Sequence, residues 1–301
     1  LSTAISLFLN KKTPLITRPP KTRLSDYASL IKLSTPFFIW MLLSIVYSRV
    51  DTILLQHVRG PEEVGLYNAA SRLAEAIMII PIGFYMGILP ILSSLMTEKD
   101  TKTVEFISHL AMKYLTYLGL FIACYIGLTA DKVIEVLYFS GEYDRAVLPM
   151  QILTWSSVAS FIYIIPAALL VTSRSPHITA WLSSISTGLN ILLNIFVIPR
   201  WGFVGASAVR LFTEIAGLVL LNVYVHATIV KIRYRDFLTA AIFASLLTGI
   251  VISLIKSLLF LPIYFVLYAV LIYLFGGVSK EEFVRAKELL VLLRNKGKTS
   301  D

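Results

Sequence analysis

Long apolar runs separated by short polar segments are the main pattern of this chain. The runs cover residues 31–55, 64–95, 105–130, 147–171, 178–198, 203–229, 237–255 and 257–275. Each offers about 19 or more residues, enough for an α-helix rising 1.5 Å per residue to cross a hydrocarbon core of about 30 Å. The pattern therefore predicts an all-α, polytopic membrane protein whose bundle of about eight transmembrane helices occupies residues 27–276.

The composition agrees with a membrane protein. Of the 301 residues, 57% are hydrophobic and 15% are charged, and the mean hydropathy is +0.78, whereas soluble domains carry roughly a quarter charged residues. The net charge of +9 comes mainly from the connections between apolar runs, so it indicates membrane orientation rather than nucleic-acid binding. The single Cys124 offers no internal disulfide, and the four histidines lack the spacing of metal ligands, so no metal site is predicted.

The distribution of Lys and Arg predicts the orientation of the bundle. Alternate connections are rich in cations, and these are 11–23, 97–103, 172–177, 230–236 and 279–301. The connections between them carry few cations, and these are 56–63, 131–146, 199–202 and Lys256. Because the cation-rich side of a membrane protein faces the cytoplasm, we expect a multi-pass protein of the plasma (inner) membrane with a cytoplasmic C-terminus.

The segments outside the spans have their own patterns. Residues 1–10 resemble the end of a truncated transmembrane helix, and residues 11–26 form a basic, proline-rich cytoplasmic loop. Residues 131–140 are expected to form a short interfacial helix on the outer side. In the cytoplasmic tail, 277–301, the stretch 280–294 has an apolar face opposite its charges, which fits a helix lying on the inner surface or a plain tail.

Charged residues inside the apolar runs are the candidates for function, because a charge in a span is costly unless it faces water or a partner. They are Arg49, Asp51, Arg72, Glu75, Arg210 and Glu214. The spacing of Arg72 with Glu75, and that of Arg210 with Glu214, allows a local ion pair on one helix. A structural role therefore stays open for these four residues. Arg49 and Asp51 are two residues apart and do not face each other on a helix, so each needs another partner.

Other polar residues in the runs have simpler interpretations. Asn190 and Asn194, one helical turn apart, are expected to form hydrogen bonds between helices, with cavity lining as the alternative. Lys113, near the inner end of the third run, is expected to snorkel to the interface, with contact to a phosphate group as the alternative.

Three motifs carry a resemblance to a known family. Residues 51–95 combine an Asp near the outer end of a helix, a short Gly loop, the run Val-Gly-Leu-Tyr-Asn-Ala-Ala, and then Pro81 and Pro90. Residues 189–208 read LNILLNIFVIPRWGFVGASA, and residues 141–153 read GEYDRAVLPMQIL. Taken in chain order, the three motifs resemble those of Wzx-type polysaccharide transporters, the oligosaccharide-lipid flippases. The resemblance covers nearly the whole chain.

The resemblance implies a fold and an activity. It implies a transporter with two lobes and 12–14 helices, related to lipid II flippases and to multidrug exporters, in which this chain forms mainly the C-terminal lobe. The implied activity is the alternating-access transport of a polyprenyl-pyrophosphate-linked oligosaccharide for surface polysaccharide synthesis, without enzymatic catalysis and without a cofactor. The arginines in the spans would then contact the pyrophosphate, and Asp51, Glu75 or Glu214 would couple transport to an H⁺ or Na⁺ gradient.

Other functions remain open on the sequence alone. The implied partners are the lipid-linked oligosaccharide, the bilayer and other polysaccharide assembly proteins. The alternatives are a multidrug or other lipid exporter of the same architecture, a membrane-embedded glycan polymerase or ligase, and a scaffold without transport. The enzymatic alternative is disfavoured because the longest outer connection, 131–146, shows no recognisable catalytic grouping.

Overall fold

The computed structural model describes residues 24–139, 141–173 and 175–279 together with Glu282 and Val284, and within these residues it contains helices and no strand. The α-helices are α1 (Leu24–Arg59), α2 (Pro61–Ile77), α3 (Ile79–Thr97), α4 (Thr101–Leu128), α5 (Ala130–Tyr138), α6 (Val147–Thr172), α7 (Pro176–Thr228), α8 (Arg235–Ile255) and α9 (Leu261–Leu274). Short 3₁₀ turns cover Gly141–Ala146 and Leu258–Phe260. The prediction of an all-α bundle is confirmed. The predicted helix end at 1–10, most of the loop at 11–26 and most of the tail beyond 279 lie outside the described residues.

The helices follow the predicted spans with two differences. Helix α1 begins at Leu24, so it takes in the end of the segment expected to be a basic loop. The run 64–95 contains two helices, α2 and α3, which meet at Met78. The break is explained by Pro81, because its missing amide hydrogen leaves the carbonyl of Ile77 without a helical partner. The predicted interfacial helix at 131–140 is present as α5.

Helix α7 is a hairpin and not one continuous rod. Gly202 has φ +54° and ψ −140°, which is not helical backbone. Asn190 Nδ2 donates to Thr213 Oγ1 at 3.3 Å, although a straight helix would separate these residues by about 35 Å. The helix therefore folds back at Gly202 into two antiparallel limbs, 176–201 and 203–228, so that the fifth and sixth predicted runs each cross the bundle.

The turn at Gly202 is fastened to the turn between α1 and α2. The amide of Phe203 donates to Glu63 Oε2 at 3.1 Å, and a carboxylate is favourable at the start of a helical limb because it faces unpaired amide groups. Arg59 Nε also donates to the carbonyl of Ile198 at 3.3 Å. These contacts place both turns at the same end of the bundle, which the charge distribution predicts to be the outer end.

Helix α6 and the α7 hairpin are the centre of the packing. Helices α1 and α6 both pack on α7, α6 also contacts α2, α3 and α4, and α8 packs against α4 and α9. The larger apolar core includes Leu115, Phe161 and Leu169. By contrast, large apolar side chains of α8 such as Phe243 and Leu246 are more than half exposed, as expected for side chains that face lipid.

Six helical stretches of the described chain are long and apolar enough to cross a membrane: Phe38–Arg59, Pro61–Thr97, Thr101–Leu128, Gly141–Thr172, His177–Thr228 and Arg235–Ile255. The fifth of them is the α7 hairpin, and Leu258–Leu274 is a shorter apolar helix. All of the predicted runs therefore lie on helices.

The opposite end of the bundle holds a buried ion pair. Lys113 is 2% exposed, and its Nζ lies 2.5 Å from Glu282 Oε2. The nearby Tyr117 hydroxyl donates to the carbonyl of Gly277 at 2.8 Å. The snorkelling expected for Lys113 is wrong, because the ammonium group has a carboxylate partner inside the protein and does not need to reach the interface.

Candidate functional site

The first part of the candidate site is a buried carboxylate held between three helices. Asp51 on α1 is 1% exposed. The Tyr67 hydroxyl on α2 donates to its Oδ2 at 2.9 Å, and Asn194 Nδ2 on α7 donates to its Oδ1 at 2.6 Å. All three residues lie roughly 10–14 Å along their helices from Gly60 or Gly202. The two outer turns therefore set the register that brings these side chains together.

A chain of hydrogen bonds extends from this carboxylate toward the middle of the bundle. Asn194 Nδ2 also donates to Asn190 Oδ1 at 3.2 Å, and Asn190 Nδ2 donates to Thr213 Oγ1 at 3.3 Å. The Thr213 hydroxyl also lies 3.0 Å from the Tyr47 hydroxyl. Asn194 Oδ1 is buried and has no hydrogen-bond partner in the described part of the chain. The network thus contains one open acceptor beside the carboxylate of Asp51.

The predicted ion pair of Arg210 and Glu214 is present. Arg210 Nε lies 3.1 Å from Glu214 Oε1, and both side chains are less than one fifth exposed. Glu214 Oε2 accepts a second hydrogen bond, from Ser160 on α6, at 3.0 Å. The guanidinium is also near enough to the Tyr67 hydroxyl and to Asp51 to interact with both electrostatically. One guanidinium therefore serves two carboxylates.

Arg49, Arg72 and Glu75 are placed differently, because all three are exposed on the surface of the bundle. The spacing of the last two allows a local ion pair, but the ion pairs of the described residues do not include one between them. Arg49 and Arg72 lie almost equally far before and after Gly60, about 17 Å along α1 and α2. Helices α1 and α2 thus present two guanidinium groups at the same depth in the bundle.

The structure divides the six predicted residues into a buried group and an exposed group. Asp51, Arg210 and Glu214 belong to one hydrogen-bonded network, which the sequence did not predict as a unit. Asn190 and Asn194 form the interhelical hydrogen bonds expected of them. Tyr67, Thr213 and Ser160 complete the network and were missed. Tyr67 lies within a quoted motif, and its register opposite Asp51 about Gly60 is the signal that could have identified it.

A cavity of about 240 Å³ lies beside this network, between α1 and α6, with the α7 hairpin as its floor. We call it the inner cavity. Its polar lining includes Ser183 and Ser186 of α7 together with Glu214, and its aromatic lining includes Trp40 and Tyr163. Its other lining residues are Ser44, Tyr47, Ala159, Ser160, Leu182, Thr187, Thr213, Gly217 and Leu221.

Comparison with known families gives a match over more than half of the chain. The model of the family described as MatE matches residues 36–196. This segment contains α1 from Pro36 onward, α2 to α6 and the first limb of the α7 hairpin without its last residues, so it includes Asp51, Tyr67 and Asn194.

Two relatives from Haloferax volcanii are similar to parts of the chain. One is described as "Probable low-salt glycan biosynthesis flippase Agl15", and it is 21% identical over 68% of this chain and 43% of its own length. The other is described as "Probable flippase AglR", and it is 24% identical over 58% of this chain and 37% of its own length. The chain therefore spans less than half the length of these curated relatives.

Solved structures share the fold. The lipid II flippase MurJ in an inward closed conformation has a TM-score of 0.69 and 17% identity, with 93% of this chain and 60% of that chain covered. An outward-facing multidrug resistance MATE family transporter of the MOP superfamily has a TM-score of 0.61 and 19% identity, with 75% of this chain and 53% of that chain covered. At these identities the likeness concerns the fold alone.

Proposed function

This chain belongs to the MatE family, and we propose that it is part of a flippase that moves a polyprenyl-pyrophosphate-linked oligosaccharide across the membrane by alternating access. The descriptions of the two Haloferax volcanii relatives as flippases support the transport activity. The chain would then supply mainly the C-terminal lobe, and the substrate would pass between this lobe and another.

The observation that carries the proposal is the exposure of Arg49 and Arg72 at one depth of an apolar bundle. Leaving two such side chains in hydrocarbon would cost roughly 5–7 kcal/mol on insertion scales. A wet passage that reaches both side chains would remove that cost. Glu75 is exposed one turn further along α2, so the three residues together keep one excess positive charge.

The exposed arginines suit an anionic lipid head. A guanidinium group can bind two phosphate oxygens at once, and it keeps its charge in an environment of low polarity. Two such groups at one depth can bind both phosphates of a pyrophosphate, while the polyprenyl tail remains in the lipid. Pulling the same head through hydrocarbon without them would cost the hydration of every charged and polar group.

The buried network offers a means of coupling to an ion gradient. Asp51 and Glu214 share the single guanidinium of Arg210, so the group has one excess negative charge when all three are ionised. A proton or Na⁺ would balance that charge, and the open acceptor Asn194 Oδ1 lies beside it. Uptake and release of the ion would change the contacts that hold α1, α2 and α7 together.

The alternatives fit the described residues less well. A cation exporter would use the Glu214 carboxylate, but Arg210 already occupies it. A glycan polymerase or ligase would need free acids on the outer side. Of the four acids in the outer connection, Asp131 pairs with Lys256 at 3.8 Å and Glu135 pairs with Lys132 at 2.9 Å. The other two, Glu142 and Asp144, are exposed on the 3₁₀ turn and form no enclosed site.

The proposal includes a location and partners. We place the chain in the plasma membrane with its C-terminus in the cytoplasm, on the basis of the positive connections. Its substrate is a lipid-linked glycan, and other polysaccharide assembly proteins would supply that substrate or receive it.

The test is complementation of a strain that lacks the gene, with lipid-linked oligosaccharide measured on both faces of the membrane. We expect build-up on the cytoplasmic face in the deletion strain and clearance by the wild-type gene. The double variant Arg49→Gln/Arg72→Gln should fail to clear it, whereas Lys132→Gln, which removes an exposed cation on α5, should clear it normally. Normal surface glycan in the deletion strain without cytoplasmic build-up would refute the proposal.

A further inference from the structure

The inner cavity is a feature that the proposed function does not yet use. Building on that function, we infer that the inner cavity binds one uncharged sugar ring of the substrate's glycan. The assignment separates two parts of the substrate, because the exposed arginines contact the pyrophosphate and the inner cavity contacts a sugar.

The cavity begins at the buried network and extends inward from it. Thr213 and Glu214 belong to both, and the lining continues to Trp40 and Leu221, about 30 Å from the outer turns. Both α1 and α6 pack on the α7 hairpin and leave this space between them. A volume of about 240 Å³ is enough for a single sugar ring.

Two serine hydroxyls of the cavity have no hydrogen-bond partner among the described residues. Ser183 and Ser186 are half-buried, and the hydrogen bonds of the described residues include none from their hydroxyls. A serine hydroxyl can donate one hydrogen bond and accept two, which matches the mixed donor and acceptor character of sugar hydroxyls. The first limb of α7 therefore presents two unused groups of the right kind to the cavity.

The cavity wall offers no unpaired charged group to a ligand. The carboxylate of Glu214 lines the cavity, but it is paired with Arg210 and accepts a hydrogen bond from Ser160. Among the lining residues none is a cation, so a phosphate would find no charged partner there. A cation would find the Glu214 carboxylate with both of its oxygens already accepting hydrogen bonds, from Arg210 and Ser160. Both facts favour an uncharged polar ligand.

The aromatic residues complete the match. Trp40 is 37% exposed, and it lines the cavity together with Tyr47 and Tyr163. Aromatic faces offer a flat apolar surface with a polar edge, and a sugar ring has a C–H face and polar hydroxyls at its rim. Pockets that combine such surfaces with a few placed polar groups are the usual form of small-molecule sites.

The test measures protection of a cysteine inside the cavity of the full-length protein in nanodiscs. The native cysteines, including Cys124, are replaced by alanine, and Ser183→Cys is labelled with a small methanethiosulfonate reagent. The probes are maltose and diacetylchitobiose as neutral sugars, inorganic pyrophosphate as an anion and tetraethylammonium as a cation. Thr228→Cys, at the exposed end of α7, reports effects of the probes on the reagent itself.

We expect a neutral sugar to slow labelling at Ser183→Cys about tenfold when its concentration is ten times its dissociation constant, and to leave Thr228→Cys unchanged. Protection by pyrophosphate alone or by tetraethylammonium alone would overturn the assignment, and so would no protection by any probe. None of these results bears on the flippase itself, which is tested by oligosaccharide translocation in cells.

A second measurement uses matched substitutions in that translocation assay. Ser183→Phe fills the cavity, whereas Ser184→Phe adds the same volume at the neighbouring exposed serine, whose hydroxyl donates to the carbonyl of Ala180. Loss of translocation with Ser183→Phe and not with Ser184→Phe supports the sugar site. Equal translocation by both variants and the wild type would overturn the sugar site and leave the flippase proposal standing.

Discussion

The turn at Gly202 allows a prediction whose size follows from the structure. A methyl group added by Gly202→Ala would lie 2.1 Å from Glu63 Oε2, so the carboxylate would have to leave its place. The hydrogen bond from the amide of Phe203 would be lost with it, which costs about 1 kcal/mol for a helix cap. The backbone angles of Gly202 add roughly 1–3 kcal/mol of strain for alanine.

The expected loss of stability for Gly202→Ala is therefore roughly 2–4 kcal/mol. Thermal unfolding of the purified protein in detergent should show a midpoint lowered by roughly 4–16 °C. Gly65→Ala is the matched control, because Gly65 lies within α2 with open space around its added methyl group, and it should not lower the midpoint.

A double-mutant cycle isolates the contact with Glu63. In a Glu63→Ala background the cap is already absent, so Gly202→Ala should cost only the backbone strain, about 1 kcal/mol less than in the wild type. An equal cost in both backgrounds would mean that the carboxylate does not fasten the turn. Unchanged stability of Gly202→Ala alone would contradict the hairpin geometry.

Three further predictions concern the ionised groups. Asp51→Asn keeps the shape of a buried side chain, so the variant should fold while transport in vesicles loses its dependence on an imposed ion gradient; a retained dependence would exclude this carboxylate. Glu214→Gln leaves the guanidinium group of Arg210 without its nearest counter-ion and should lower the free energy of unfolding by about 3 kcal/mol. The exposed control Arg49→Gln should change it by less than about 0.5 kcal/mol. Equal effects of the two substitutions would refute the burial argument. Glu282→Gln should destabilise the protein because it leaves the buried ammonium of Lys113 unpaired, and adding Lys113→Met should restore most of the loss; no rescue would show that the pair is not responsible.

The pattern of the sequence was sufficient for the helices but not for their breaks. Apolar runs of span length predicted where the long helices of the described residues lie, and the alternating cations predict which ends share a side. The end of one helix at Met78 depends on a single proline, and the antiparallel fold of α7 depends on the backbone angles of one glycine. Such local features do not alter the hydrophobic period, so a pattern of apolar residues locates the runs and not their exact boundaries.

The candidate site was predicted only in part, for a physical reason. Helical spacing predicts a pair on one helix, and it correctly indicated Arg210 with Glu214. It also allowed Arg72 with Glu75, where the side chains remain exposed instead. Partners from different helices, such as Asp51 with Tyr67, depend on the register between helices, which is set by turns and packing and not by spacing along one chain.

The most direct test of the central claim is the access of water to the exposed arginines. In the full-length protein without native cysteines, Arg49→Cys and Arg72→Cys should each react with a membrane-impermeant thiol reagent. Leu246→Cys, which is exposed on α8 at a similar depth, should not react, because its side chain faces lipid. Addition of inorganic pyrophosphate should slow the reaction at each arginine position through the guanidinium group that remains. If both arginine positions are as unreactive as Leu246→Cys, there is no aqueous passage at this face, and the proposed route for an anionic lipid head is wrong.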